Sequence, residues 1–279
     1  MEKKNTISLL GCGWLGLPLA TALVKEGYDV KGSTRHTEKF ALLEKEGVKP
    51  YRIDLDDEEE RLDWGDFLDT GILLINIPPG VKRNPSESAY AQKMEKVKSA
   101  LLVRGLRQVI FVSATSVYAN TNAEVDETGP LEQSPRAKAL WKAEEVFVKD
   151  PRFQCTVLRL SGLLGYDRVP GKYFAGKQNL TTGSIPVNYI HQDDAVLLLK
   201  TLVEQPHWGT VFNGVAPLHP VRKDVYEANA KELEFTPPTF AEPEEIPAFK
   251  VIRGRKAEEL LHFTFKYPDP MKFYYEKSE

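Results

Sequence analysis

Residues 6–16 of the chain read Thr-Ile-Ser-Leu-Leu-Gly-Cys-Gly-Trp-Leu-Gly, an apolar run followed at once by Gly11, Gly13 and Gly16. The apolar run predicts a buried strand, and the leucine spacing behind it predicts a helix. Glycines spaced as GxGxxG allow a tight turn, a close backbone approach to a pyrophosphate, and close helix–strand packing. The unpaired N–H groups of a helix start favour an anion. We therefore predict a dinucleotide-binding strand–turn–helix unit, with a glycine turn that binds no ligand as the alternative.

Short apolar runs and amphipathic segments alternate over the first 160 residues. Strands are predicted over residues 6–10, 28–31, 48–53, 72–77, 109–112 and 156–160, and helices over 15–26, 38–46, 86–103 and 135–148. This alternation predicts a parallel sheet with helices on both faces. Beyond residue 160 glycine and proline become frequent, and helices are predicted from Asp193-Asp194 and over residues 222–233. The predicted fold is α/β: a doubly wound parallel Rossmann sheet over residues 1–160, with a smaller mixed C-terminal lobe over 161–279 that is partly interleaved with it.

The composition narrows the class of protein. The chain has 279 residues, 42% of them hydrophobic, and a formal net charge of −3, which gives no general attraction to nucleic acid or anionic lipid. No apolar run approaches the ~18 residues needed to span a bilayer. Cys12 and Cys155 offer no disulfide framework and no metal-ligand spacing. We expect a cytoplasmic protein with a small-molecule substrate and with no metal, nucleic acid or membrane partner.

The residues after the second predicted strand indicate which dinucleotide is bound. A site for NAD usually has Asp or Glu about 20 residues beyond the glycines, where it holds the ribose 2′-hydroxyl. Here the chain continues as Gly-Ser-Thr-Arg-His at residues 32–36, without an acid. A guanidinium binds a phosphate through two parallel hydrogen bonds. Arg35, supported by Ser33 and Thr34, therefore favours NADP, with NAD as the second candidate and an exposed loop arginine as the alternative.

Three further motifs complete a pattern. They are residues 113–118 (Ser-Ala-Thr-Ser-Val-Tyr), 159–165 (Arg-Leu-Ser-Gly-Leu-Leu-Gly) and 188–195 (Asn-Tyr-Ile-His-Gln-Asp-Asp-Ala). With the glycine turn, they resemble the extended short-chain dehydrogenase/reductases, the NAD-dependent epimerase/dehydratase family, over nearly the whole chain. The resemblance implies a Rossmann domain with a C-terminal substrate lobe, chemistry at the nicotinamide ring and, in many members, a homodimer. The cofactor-binding residues expected in addition to those above are Trp14, Leu15, Asp54, Asn76, Ile77, Pro78 and Ser113.

The chain departs from that family at its catalytic positions. The family's set is a Ser or Thr, a Tyr and a Lys four residues later, and most extended members have GxxGxxG where this chain has GxGxxG. Here Ala114 stands at the hydroxyl position, Arg136 or Ala137 at the tyrosine, and Leu140 or Trp141 at the lysine. Because the tyrosine is the general acid/base, its loss removes a contribution of ~10²–10⁴ in rate. The pattern is similar to the atypical subgroup, which binds the cofactor without the usual active-site residues.

Residues at three places could replace the missing groups. Thr115 and Ser116 offer hydroxyls near the family position, Arg136 could orient an anionic substrate, and His191 could exchange protons near neutral pH. The structural alternatives are strand-end hydrogen bonding for Thr115, and a helix N-cap at Asp193 or Asp194 with His191 packed beside it. Two functions stay open: an oxidoreductase or epimerase/dehydratase-like enzyme for a small substrate, with an anionic one favoured, or a non-catalytic NADP(H)-binding redox sensor.

Overall fold

The computed structural model describes residues 5–57, 64–79 and 88–277. Its strands are β1 (Thr6–Leu10), β2 (Asp29–Thr34), β3 (Lys49–Arg52), β4 (Ile72–Ile75), β5 (Gln108–Ala114), β6 (Glu124–Val125), β7 (Gln154–Leu160), β8 (Gly162–Leu164), β9 (Tyr189–His191), β10 (Val211–Gly214) and β11 (Val251–Ile252). Its helices are α1 (Gly16–Lys25), α2 (Phe40–Lys45), α3 (Ala89–Arg104), α4 (Pro135–Val148), α5 (Gln192–Glu204), α6 (Arg222–Glu232) and α7 (Arg255–Leu261). Among the described helices, none is long and apolar enough to cross a membrane.

The central sheet has seven strands in the order β10-β7-β5-β4-β1-β2-β3. β1 pairs in parallel with both β2 and β4, so that Ile7 lies opposite Val30 on one side and Ile72 on the other. From β1 the chain goes to β2 and β3 on one side and then returns to β4 and β5 on the other. This reversal leaves a crevice at the carboxyl ends of β1, β2 and β4, where ligands bind in such sheets. The mainly parallel sheet with flanking helices confirms the predicted Rossmann α/β fold.

The burial of apolar side chains explains why these segments form the sheet and the helices that pack on it. Ile7, Leu9 and Leu10 of β1 are fully buried, as expected for a strand with helices on both faces. Leu19 and Leu23 of α1 are one turn apart on the buried side of the helix, which matches the predicted apolar stripe. Burying one such leucine side chain contributes about 1.5–3 kcal/mol to folding. The core thus fixes the position of the glycine turn between β1 and α1.

Several boundaries differ from the predicted ones. β2 extends to Thr34 rather than ending at residue 31, and β4 ends at Ile75 rather than at residue 77. β5 is longer than predicted and includes Ala114. Residues 86 and 87, at the start of the helix predicted over 86–103, lie outside the described part of the chain. The predicted ranges of β1 and α4 are confirmed.

The chain forms two compact units that are interleaved in sequence. The first comprises Met1–Val117, Gln133–Arg159 and Val196–Val211, and the second comprises Tyr118–Glu132, Leu160–Ala195 and Phe212–Glu279. The division at residue 160 differs from these units, because one segment beyond it belongs to the first unit and one before it belongs to the second. The second unit contains two short parallel pairs, β6 with β11 and β8 with β9.

Candidate functional site

The glycine turn after β1 is closed by two glycines that leave no room for a side chain. Gly11 has a φ of +110°, and a Cβ added there would lie 2.5 Å from the carbonyl oxygen of Asn76. A Cβ added to Gly16 would lie 2.1 Å from the carbonyl oxygen of Gly11. Both distances are far below van der Waals contact, so the turn can pass this close to β4 and to α1 only with glycine at both positions.

Gly13 is different, because a Cβ added there would meet no protein atom within 4 Å. The residue is exposed and lines a cleft. Protein packing therefore gives no reason for glycine at this position. The open space fits a ligand that approaches the backbone closely, as a pyrophosphate does at this position of a GxGxxG turn.

The cleft has a volume of about 300 Å³ and lies within the first unit, at the carboxyl ends of β1, β2 and β4. It brings together most of the predicted cofactor residues. The described residues that line it are Leu10, Gly11, Cys12, Gly13, Ser33, Thr34, Arg35, His36, Lys39, Ile53, Asp54, Leu55, Asp56, Asn76, Ile77, Pro78 and Lys93. Trp14, Leu15, Gly16 and Ser113 are not among them. Leu15 and Gly16 are buried, which is a packing role for those two positions.

Hydrogen bonds hold the floor of the cleft in place. The hydroxyl oxygen of Ser33 accepts a bond of 2.9 Å from the backbone N–H of Gly11, and the carbonyl oxygen of Ser33 accepts one of 2.8 Å from Cys12. Asn76 donates its side-chain amide to the carbonyl oxygen of Gly11 at 3.2 Å. Ser33 and Asn76 thus hold the glycine turn in a defined geometry. For Ser33 this differs from the predicted role as a support for Arg35.

The side chain of Cys12 is buried against β2, on the protein side of the glycine turn. Its sulfur would be 2.6 Å from a Cβ added to Gly32, so glycine in β2 makes room for the thiol. Burial raises the pKa of the Cys12 thiol to about 12. The group is therefore a neutral, packed thiol at physiological pH and not a nucleophile.

Charged side chains cluster at the same cleft. Arg35 lies 3.7 Å from the carboxylate of Asp56, which also accepts a hydrogen bond from Lys93 of α3. The His36 ring lies 3.3 Å from the carboxylate of Glu38, and the side chain of Lys39 is exposed. Sequence reasoning found Arg35 and Asp54 but missed Asp56 and Lys93, because no local pattern connects a helix residue near position 93 with the end of β2.

Comparisons with known proteins decide the family. The sequence model described as the NAD dependent epimerase/dehydratase family matches residues 9–181, which include the glycine turn and every residue named above as lining the cleft. The chain belongs to the NAD dependent epimerase/dehydratase family. It is 30% identical to protein YeeZ of Escherichia coli K12 over 268 residues, which cover 95% of this chain and 97% of YeeZ.

Solved structures share the family fold. A functionally unknown conserved protein from Silicibacter pomeroyi superposes with a TM-score of 0.78 and 22% identity, covering 96% of this chain and 95% of that one. The UDP-glucose 4-epimerase of Bifidobacterium longum, solved in complex with NAD⁺ and UDP, superposes with a TM-score of 0.74 and 16% identity, covering 95% of this chain and 96% of that one. Similarity at this level of identity shows the fold.

The residues predicted at the family's catalytic positions lie at the end of β5 and in α4, within the first unit. Ala114 ends β5, and Thr115 is buried in the short 3-10 turn Thr115–Val117 that follows. Arg136 is exposed in the first turn of α4, whereas Leu140 is buried on the same helix. A guanidinium stays protonated at any useful pH, so Arg136 can bind an anion but cannot exchange protons. Ser113 is buried, and its hydroxyl has no hydrogen-bond partner among the described residues.

His191, the third candidate, is fully buried in the second unit. Its ring lies 4.0 Å from that of Tyr267 and 5.5 Å from that of Tyr166, measured between centroids. Its Nδ1 accepts a 3.1 Å bond from the Asp193 N–H, and its Nε2 lies 3.2 Å from the Tyr274 carbonyl oxygen. Burial lowers the pKa of His191, so the ring is neutral at pH 7, and Nε2 is then the donor to Tyr274. These contacts favour the packing alternative for His191.

The alternative of an N-cap at Asp193 or Asp194 is wrong, because α5 already begins at Gln192 and both residues lie within its first turn. The buried carboxylate of Asp194 accepts hydrogen bonds of 2.7 and 2.9 Å from the backbone N–H groups of Lys266 and Tyr267. Asp193 accepts one of 2.7 Å from the Tyr166 hydroxyl and another of 2.7 Å from the Lys266 ammonium. The aspartates therefore hold the C-terminal segment of the second unit rather than the helix start.

Proposed function

We propose that the chain binds NADP(H) in the cleft at the carboxyl ends of β1, β2 and β4, and that it serves as an oxidoreductase or epimerase/dehydratase-like enzyme for a small, anionic substrate. The observation that carries the proposal is the open space at Gly13 in the same cleft as Arg35. The fold supports a nicotinamide dinucleotide, since the epimerase of Bifidobacterium longum was solved with NAD⁺.

The residues present fit such a cofactor. The backbone at Gly11 and Gly13 would face the pyrophosphate, where a side chain is excluded or would fill the cleft. Arg35, half-exposed at the rim, would bind the 2′-phosphate, and Asp54 would lie near the adenosine. Asn76, Ile77 and Pro78 would line the wall beyond β4. When bound, the nicotinamide supplies reversible two-electron redox chemistry.

Substitution of Gly13 by valine tests the cofactor site. A valine side chain would meet no protein atom near its Cβ, so the variant should fold, but it would occupy the space that the pyrophosphate needs. We expect saturable NADPH binding by the wild type in a fluorescence titration and its loss in Gly13→Val, with an unchanged urea midpoint. No saturable dinucleotide binding by the wild type at millimolar concentration would overturn the proposal.

The second candidate function is a non-catalytic redox sensor. It is favoured by Ala114, which stands at the position where the family resemblance implies a hydroxyl. Tyr118, the tyrosine of the same motif, does not supply a free acid/base group, because its buried hydroxyl donates a 2.8 Å bond to Asn213. A tyrosine held in this way has a structural role in the second unit. The sensor would bind NADP(H) in the same cleft and would act through a partner.

Turnover assays separate the two functions and test the vacant catalytic set. We expect negligible turnover of sugar nucleotides and simple carbonyls with NADP(H), because neither Ala114 nor Leu140 can deliver a proton. A slow reaction that Thr115→Ala, Arg136→Gln or His191→Asn abolishes would identify a replacement group and support the enzyme. Robust turnover of a sugar nucleotide in all three variants would show that the active site lies elsewhere.

A further inference from the structure

Three charged side chains from separate elements meet in the wall of the cleft. Arg35 follows β2, Asp56 lies beyond β3, and Lys93 projects from the second turn of α3. Asp56 lies 3.7 Å from Arg35 and accepts the hydrogen bond of Lys93, so a single carboxylate serves both cations. Within the described residues, it is also the one carboxylate paired with either of them.

The exposure of these side chains allows another anion to replace Asp56 beside Arg35 and Lys93. The side chain of Lys93 is only 18% exposed, which means that α3 holds the ammonium against the cleft. Arg35 and Asp56 are each more than half exposed, and ion pairs of this kind contribute only about 0–1 kcal/mol. A stronger anion entering the cleft can therefore displace Asp56 from Arg35 at little cost, and it can replace at Lys93 the hydrogen bond that Asp56 gives up.

The charges match one group of the proposed cofactor. Arg35 and Lys93 supply two positive charges, and Asp56 neutralises one of them. A phosphate monoester carries about −1.5 to −2 at pH 7, so it satisfies both cations more completely than a carboxylate does. A ribose hydroxyl at the same place brings no charge and leaves the Asp56 pairs intact.

We infer that Lys93 is a second residue that binds the cofactor's 2′-phosphate, and that Asp56 is an internal competitor which that phosphate displaces. The inference rests on the proposed binding of NADP(H) in this cleft. It makes the preference between the two dinucleotides a balance set by three residues rather than by Arg35 alone.

The test uses adenosine 2′,5′-bisphosphate and 5′-AMP as probes in calorimetric titrations at low salt. Lys93→Gln should weaken the bisphosphate about ten-fold and leave 5′-AMP unchanged, as expected for one lost charge-assisted bond. The matched control is Lys96→Gln, which removes the same charge from the exposed face of the same helix and should change neither affinity. Asp56→Asn should tighten the bisphosphate about three- to ten-fold.

Two results would overturn the inference while leaving the proposed function intact. One is equal behaviour of Lys93→Gln and Lys96→Gln in a protein that still binds NADPH. The other is weaker bisphosphate binding in Asp56→Asn, which would make the carboxylate a support rather than a competitor. Failure of the wild type to bind NADPH would instead remove the proposed function itself.

Discussion

At the scale of single residues, Arg35 and Gly13 contribute to the cleft in different ways. Gly13 provides space that any dinucleotide needs, because its backbone lies open to the cleft. Arg35 provides a charge that only one kind of dinucleotide uses. Substitutions at the two positions should therefore affect affinity and discrimination separately.

Replacing Arg35 with alanine should change discrimination between the two dinucleotides. A charge-assisted hydrogen bond contributes about 1.5–3 kcal/mol, so NADPH should bind roughly 10- to 100-fold more weakly. NADH lacks the 2′-phosphate and should bind with nearly the same affinity as before. Fluorescence titrations of both nucleotides provide the measurement. Equal losses for NADPH and NADH would mean that Arg35 acts on folding or on another part of the ligand.

At the scale of elements, α4 is joined to β7 by a buried ion pair. Arg159 donates from Nε at 3.1 Å to one carboxylate oxygen of Glu144 and from its terminal nitrogen at 2.6 Å to the other. Both side chains are almost fully buried. Breaking such a pair from one side leaves an uncompensated charge inside the protein, which costs about 3–5 kcal/mol.

Glu144→Ala should therefore lower the free energy of unfolding by that amount, measured by urea denaturation. The adjacent Glu145 provides the matched control, because its more exposed carboxylate pairs with Lys149 at 2.7 Å one turn later on the same helix. Glu145→Ala should cost no more than about 0.5 kcal/mol. Similar losses of unfolding free energy in the two variants would show that the buried Glu144–Arg159 pair contributes no more to stability than the more exposed Glu145–Lys149 pair.

The elements also show what the sequence could predict. α4 is found at its predicted range because Pro135 is favourable in the first turn of a helix and the apolar spacing behind it is regular. The sequence predicts a shorter β2 because Gly32, Ser33 and Thr34 are typical turn residues. In the structure Gly32 makes room for the Cys12 thiol, and Ser33 accepts the Gly11 N–H. These are tertiary reasons that no local pattern carries, and the same holds for Lys93 in the cleft.

At the scale of the whole molecule, two histidines link stability to pH, His191, which is buried, and His219, which is half-buried. Burial lowers the pKa of both His191 and His219 in the second unit. Asp193 and Lys266 are the charged groups near His191, and desolvation outweighs the effect of Asp193. Below the ordinary histidine pKa of 6.5, the unfolded chain therefore binds protons that the folded protein does not.

Stability should consequently be complete above about pH 7 and fall as the pH drops through 6.5, by at most about 1.4 kcal/mol per pH unit for each histidine. Asp194 has the opposite effect, because burial raises its pKa. That effect is confined to pH values between its ordinary pKa of 3.8 and the raised one, where the folded protein binds a proton that the unfolded chain does not. Urea midpoints at pH 7.5 and 5.5 provide the measurement, and His219→Gln should reduce the difference between them. Identical wild-type midpoints at the two pH values would contradict the prediction.

The position of Cys12 beneath the glycine turn has a consequence for kinetics. Alkylating reagents need a thiolate that they can reach, and this thiol is both packed under β2 and kept protonated by burial. The rate at which Cys12 is alkylated in native protein therefore reports how often the structure opens between β1 and α1. Cys155, equally buried in β7, reports in the same way on opening at a strand that β5 and β4 separate from β1 in the sheet. A ligand that closes over the glycine turn should slow the alkylation of Cys12 by a factor that grows with the ligand concentration. The ratio of the two rates separates local protection of the turn from stabilisation of the whole sheet.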